Sequence, residues 1–476
     1  MLATLLSLTA LAQDTSPPRC SGRPTTWTDA TADTRAQKPD AIAALEAWAF
    51  PERTPEQDSA RQGVRTEGLL VIQGDKILYE RYARGFTAEK PHLTWSASKT
   101  YTNALTAIAV RDGLLDLDDS ICDHVEATNP DNCVVTVEDL LSFGSGIEWR
   151  ETYENSPLTS SSVVSMLYGD GVDDMAAFIS GAGRRAAPGT VWQYSSGDTT
   201  LLAAVLAAAM APTYGDAFPW TALFDPLGID GVVWERDGAG TYVGSSYLYS
   251  TPRDMARFGQ LWRDDGCWGE TPILPEGWVA QSTAISAPIQ QGALDRTSGT
   301  QGWQVWLNQP VTALGDTAPP WGDAPTDAFA AQGHWKQRIA VLPSHDMIVV
   351  RVGDDRDGSF RNADLFARVV PLGEPTGIQP PPLPPPSAAT GTLAASEPLR
   401  FDAGLLRLGA SYGAKLACSC MFVMQQDEDY CRAWVRASPD ITKIKFNTDD
   451  RSVRARALVV SAEARWIDER HGCTLE

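Results

Sequence analysis

His92–Gly113, HLTWSASKTYTNALTAIAVRDG, is the stretch from which this chain is best read. Ser96 and Lys99 stand three residues apart, and residues at that spacing share one helix face. The Lys99 amine is therefore expected within reach of the Ser96 hydroxyl. A lysine withdrawn from water gives up its proton more readily and can serve as base to a serine. Tyr101, Leu105 and Ile108 continue on helical spacing, and Gly113 is a fitting stop. The pattern predicts a helix that starts at the pair, so backbone N–H groups and the positive dipole end face any developing negative charge. On its own Ser-x-x-Lys is a short and common spacing, met equally as a surface lysine one turn after an N-cap serine. Its meaning depends on what surrounds it.

Upstream, Asp40–Phe50 (DAIAALEAWAF) has helical periodicity, and EGLLVIQ and KILYERYA flank Gly74-Asp75, a two-residue hairpin signal. Downstream, Thr136-Val-Glu-Asp139 predicts a capping box opening a short helix. Further helices are expected at Ser162–Leu167, Asp173–Ile179, Thr199–Met210, Pro252–Trp262 and Phe360–Val370. Gln337–Leu342 and Met347–Gly353 read as a second hairpin around Pro343-Ser-His-Asp346. Hairpins at both ends with helices between them imply an antiparallel sheet flanked by helices, an α/β fold of the α+β type; a doubly wound parallel sheet would alternate strand and helix throughout. Residues 371–395, rich in proline, form an extended linker. Beyond it, 396–476 contains strand-like runs (KLACSCMFVM, TKIKF, SVRARALVV, ARWID) and four cysteines, a small β-rich module.

A chain of 476 residues with 43% hydrophobic content and 16 tryptophans can bury a large core. Its net charge of −21, without a basic stripe or zinc-finger spacing, disfavours nucleic-acid binding. No apolar run reaches the roughly 20 residues of a membrane span. Residues 1–12 (MLATLLSLTALA) read as a short secretory signal that lacks the usual early Lys or Arg, and 13–37 as a loose polar segment. Export to the periplasm or the extracellular space fits the eight cysteines. Cys122 and Cys133 bracket a short polar loop suited to a disulfide, and Cys20 and Cys267 could pair. Cys418, Cys420, Cys431 and Cys473 read as disulfides ahead of a structural zinc, because Cys-x-Cys is not the usual zinc spacing.

Several stretches together resemble the serine hydrolase family of β-lactamases, penicillin-binding proteins and related esterases. Ser96 and Lys99 match its Ser-x-x-Lys motif, and Tyr194-Ser195-Ser196 its Tyr-x-Asn or Tyr-x-Ser motif. His334-Trp335-Lys336 approximates its Lys- or His-x-Gly motif, with Lys336 where glycine is usual. The runs LLSFGSGIEWRETY, WQYSSGDTTLL, GSSYLYSTPRDMARFGQLWRDDGCWGETPILPEGWV and GHWKQRIAVLPS are similar to the branch holding 6-aminohexanoate-dimer hydrolase and carboxylesterases. The likeness extends from about Asp40 to Val370, within a 38–370 hydrolase domain. The tail only weakly resembles a module that accompanies some bacterial relatives.

The resemblance implies a β-lactamase-like fold and an acyl-enzyme mechanism with Ser96 as nucleophile, Lys99 as its base and Tyr194 as proton relay, its phenol pKa lowered by the neighbouring ammonium. The backbone N–H groups of Ser96 and Gln337 would form the oxyanion hole, and His334, Trp335, Lys336 and Ser196 would meet the substrate. Ser196 could equally cap the following helix, and Asp198 reads as a capping carboxylate. Tyr153-Glu154-Asn155 also fits Tyr-x-Asn but lacks the Pro-Gly turn and long apolar helix that accompany Tyr194, so Tyr153 reads as a cleft-wall or core residue. Five scattered histidines offer no metal pair; no metal or cofactor is expected. The expected partner is a small ester or amide. A β-lactamase, a D-alanyl-D-alanine peptidase, or a non-hydrolytic binder of penicillins or cell-wall peptides are the rivals. Lys336 could supply a charge to the cleft or merely crowd it.

Overall fold

The computed structural model describes residues 19–153, 158–291, 293–295, 299–311, 316–379, 400–436 and 442–476. The expected signal (1–12) and most of the Pro-rich linker (371–395) lie outside them.

In chain order, the N-terminal elements are β1 (Thr28–Asp29), α1 (Thr31–Gln37), α2 (Pro39–Ala49) and the hairpin β2 (Thr66–Gln73) and β3 (Lys76–Tyr82). The helix α3 (Ser98–Arg111) follows a single 3-10 turn at Trp95–Ala97. Next come α4 (Val137–Leu141), opened by the expected Thr136/Asp139 capping box, α5 (Ser196–Tyr214) and α6 (Pro252–Arg263). The remaining sheet strands are β4 (Thr300–Gln301), β5 (Trp306–Leu307), β6 (Phe329–Gly333), β7 (Gln337–Leu342) and β8 (Met347–Gly353), closed by α7 (Asn362–Val369).

These strands make one eight-stranded sheet in the order β1-β3-β2-β8-β7-β6-β5-β4. Every pairing is antiparallel except β1 on β3. Strand side chains alternate between faces, and here both faces are buried. Leu70, Ile72, Ile339 and Ile348 point into the core shared with α3 and α6. Leu69, Val71, Ala340 and Val349 point into a second core with α2 and α7. The architecture is the antiparallel sheet with flanking helices expected from the hairpins.

The segment 13–37 is not loose where it is described. Cys20 is bridged to Cys267, β1 pairs with β3, and α1 packs beside it. These anchors are 47 or more residues distant in sequence, so nothing local announces them.

The C-terminal region also departs from the reading. KLACSCMFVM is helical through Phe422, in α8 (Leu405–Phe422), and α9 (Glu428–Trp434) follows. The four strands β9 (Thr442–Asn447), β10 (Ser452–Ala457), β11 (Val460–Asp468) and β12 (Gly472–Leu475) form an antiparallel sheet against α8. From Gly413 to Cys420 every residue of α8 is buried. A helix covered on all sides has no polar face and reads as a continuous apolar run. The four cysteines of this region pair as Cys418–Cys473 and Cys420–Cys431, and Cys122–Cys133 is bridged as expected. At the contact with the rest of the chain, Lys415 and Ser419 both bond the buried carboxylate of Glu235.

Candidate active site

Ser96 sits in the 3-10 turn before α3, and is partly exposed while its neighbours are buried. Trp95, just before it, takes φ 50°, a left-handed conformation that costs a non-glycine residue of order 1 kcal/mol and recurs at functional sites. The end of β6, an inner strand of the sheet, lies directly against this turn. A Cβ on Gly333 would come within 2.0 Å of Thr94 O, so only glycine lets β6 approach so closely.

Lys99, in the first turn of α3, is buried. Its Nζ donates to Ser196 Oγ at 2.9 Å and to Ser245 O at 3.0 Å. Burial brings its pKa down to about 8, against the opposing pull of Glu151. Tyr194 lies between a short strand (Val191–Gln193) and the Ser195 cap of α5. Its ring packs against Phe143 and Trp306, with Lys99 Nζ 5.0 Å from its centroid. Folding brings the phenol near Ser96, 98 positions away in sequence. Burial, with Glu151, holds the phenol well above its ordinary range. This reverses the expectation that the lysine would lower it: desolvation dominates, so Tyr194 stays a proton donor.

Ser196 neither caps α5 nor stands free. The cap is Ser195, whose hydroxyl accepts from Asp198 N. Ser196 links Lys99 to Glu151: its Oγ donates to Glu151 Oε1 at 2.7 Å and its N donates to Oε2 at 2.9 Å. Asp198, read as a capping carboxylate, is buried, accepts from Ser145 Oγ and has its pKa raised to about 7 by desolvation. Glu151 went unrecognised in the sequence, although it lies inside the quoted run WRETY. Its partners Trp149 and Tyr153 are local, but Ser196 and Lys99 are brought to it only by folding.

His334, Trp335 and Lys336 form the turn between β6 and β7. Trp335 (φ 53°) and Lys336 (φ 73°) are both left-handed, which a glycine would adopt without cost. The His334 ring meets Trp95 edge-on at 5.6 Å and stacks on Tyr153 at 4.7 Å. The buried Gln337 side chain ties the turn to the sheet, donating to His334 O and Gly353 O and accepting from Gly353 N. The charges acting on Lys336 are Arg338, Asp355 and Arg351; with burial, the two arginines push its pKa down. Arg338 and Arg351 face each other across β7 and β8 and both lie over Phe360, in the core away from α3. Among the described residues no group of three or more His, Cys, Asp or Glu is arranged to hold a metal ion, and no helix is long and apolar enough to cross a membrane.

A family model described as Beta-lactamase matches residues 51–370. The 6-aminohexanoate-dimer hydrolase of Paenarthrobacter ureafaciens is 24% identical over 255 residues, which are 48% of this chain and 60% of that protein; the chain thus spans about three fifths of that relative. Two solved structures share the fold: EstCE1, a hydrolase with promiscuous acyltransferase activity (TM-score 0.51, 14% identity, 71% of this chain and 99% of that one), and a family VIII carboxylesterase (TM-score 0.51, 14% identity, 73% and 98%). A structure of SurE (TM-score 0.50, 17% identity) covers 92% of this chain and 97% of its own.

Proposed function

The chain belongs to the beta-lactamase family, and on that premise we propose that it hydrolyses a small ester or amide through an acyl-enzyme on Ser96. The observation that carries this reading is the buried, readily deprotonated Lys99, one turn from Ser96 and with its Nζ 5.0 Å from the Tyr194 ring centroid. Ser96 Oγ attacks the carbonyl carbon while its proton passes to the Lys99 amine. The N–H groups of Ser96 and Gln337 receive the oxyanion. As the tetrahedral centre collapses, the phenol gives its proton to the departing oxygen or nitrogen and is reprotonated from Lys99. Water then cleaves the acyl-enzyme by the same path in reverse, returning Ser96 to its starting state.

His334, Trp335 and Tyr153 would bound the substrate. Lys336 would contribute its turn geometry, since the charges around it lie on the far side of the sheet. A cleft with histidine rather than lysine at the first position of the third motif has less hold on a substrate carboxylate, which favours neutral esters and amides over penicillins. The four disulfides suit an exported protein, and we propose a periplasmic or extracellular location.

Labelling with a fluorophosphonate, together with turnover of a chromogenic short-chain ester, tests the reading. Ser96→Ala is expected to abolish both. Ser98→Ala should retain much of each, because Ser98 Oγ is buried and bonded to Gly244 O. Labelling on another serine, or equal loss in both variants, refutes it.

A further inference from the structure

We propose that Glu151 is a positioning residue: by holding the Ser196 hydroxyl as an acceptor toward Lys99, it leaves the lone pair of the Lys99 amine for Ser96. This rests on Lys99 being the base. The Glu151 carboxylate is surrounded by four donors. Oε2 accepts from Trp149 Nε1 (2.6 Å) and Ser196 N (2.9 Å), and Oε1 from Ser196 Oγ (2.7 Å) and Tyr153 OH (2.9 Å). A serine hydroxyl has one proton, and here it is spent on Glu151. Only lone pairs remain toward Lys99 Nζ, 2.9 Å away. Ser245 O, at 3.0 Å, likewise can only accept.

A neutral amine carries two hydrogens and one lone pair. Both hydrogens are drawn to acceptors that cannot donate in return, so the lone pair is left for a third partner, which on the proposed mechanism is Ser96, one helical turn earlier. The negative charge of Glu151 also favours the ammonium that forms when Ser96 loses its proton.

An isosteric amide would reverse this polarity. In Glu151→Gln the NH2 group cannot face Trp149 Nε1–H and Ser196 N–H, which are both donors, so it takes the Oε1 position and donates to Ser196 Oγ. The Ser196 proton is then free to bond the Lys99 lone pair, in competition with Ser96.

The test is the rate at which a fluorophosphonate labels Ser96 between pH 5 and 10, in the full chain and in Glu151→Gln, Ser196→Ala and the double variant. Glu151→Gln should lower the plateau about tenfold or more. It should also move the midpoint of the acid limb down by roughly one pH unit, because a negative neighbour is lost. In the Ser196→Ala background the plateau loss should vanish, there being no hydroxyl to reverse. The proposal is overturned if either change is missing in Glu151→Gln, or if its plateau loss persists without Ser196. Should Glu151→Gln not fold, Ser196→Ala decides alone: a several-fold slower labelling supports the proposal and a rate equal to the parent overturns it. Labelling that survives Ser96→Ala would instead sink the nucleophile assignment, whatever Glu151 does.

Discussion

Lys99→Met separates the catalytic role of this lysine from its cost to the fold. Unfolded, the lysine keeps its proton up to pH 10.5; folded, burial lowers that value to about 8. Between these values the unfolded chain binds more protons, so stability rises with pH across this window. At pH 7 both forms are mostly protonated, and 2.5 pKa units (10.5 − 8) amount to about 3 kcal/mol of destabilisation. At pH 10 the folded lysine is neutral and under about 1 kcal/mol remains. Methionine fills a similar volume and carries no charge. It forfeits the bonds to Ser196 and Ser245, at about 1 kcal/mol each. Those losses do not depend on pH and cancel when two pH values are compared. Urea unfolding at pH 7 and pH 10 should therefore show the stability of Lys99→Met, relative to the parent, falling by roughly 2–3 kcal/mol on going to pH 10. Ester turnover and fluorophosphonate labelling should be lost at both. A difference from the parent that is the same at both pH values would refute the claim that Lys99 is held in a site that disfavours its charge.

Tyr194→Phe should lower kcat for a chromogenic ester about a hundredfold with little change in melting temperature, since the ring packing on Phe143 and Trp306 is kept; near-parental kcat would move the role to Tyr153 or to water. Lys336→Gly relieves a left-handed residue and should raise stability by about 1 kcal/mol in urea unfolding. Because its charged neighbours lie away from α3, it should change kcat/KM alike for neutral and anionic esters of matched size; a selective loss on the anionic ester would show that the ammonium serves the cleft.

The elements legible in the sequence are those held by neighbours a few residues apart. Gly74-Asp75 makes its hairpin, Thr136 and Asp139 cap each other, and Ser96 and Lys99 fall one turn apart at the head of α3. The short Cys122–Cys133 bridge was legible for the same reason. The motif stretches then led from these local signals to the family and its antiparallel sheet. Other features were decided by packing between distant segments. The helix α8 was misread because burial on every side erases the alternation that distinguishes helix from strand. The anchoring of 19–37 depends on Cys267 and β3, far along the chain. Glu151 has no periodicity or spacing to mark it; its role exists only where Ser196 and Lys99 meet it. The proton states of Lys99 and Tyr194 and the surroundings of Lys336 likewise follow from desolvation and from which charges the fold brings near. Sequence spacing supplies the reacting groups, but electrostatics depends on distance and dielectric, and only the folded chain sets those.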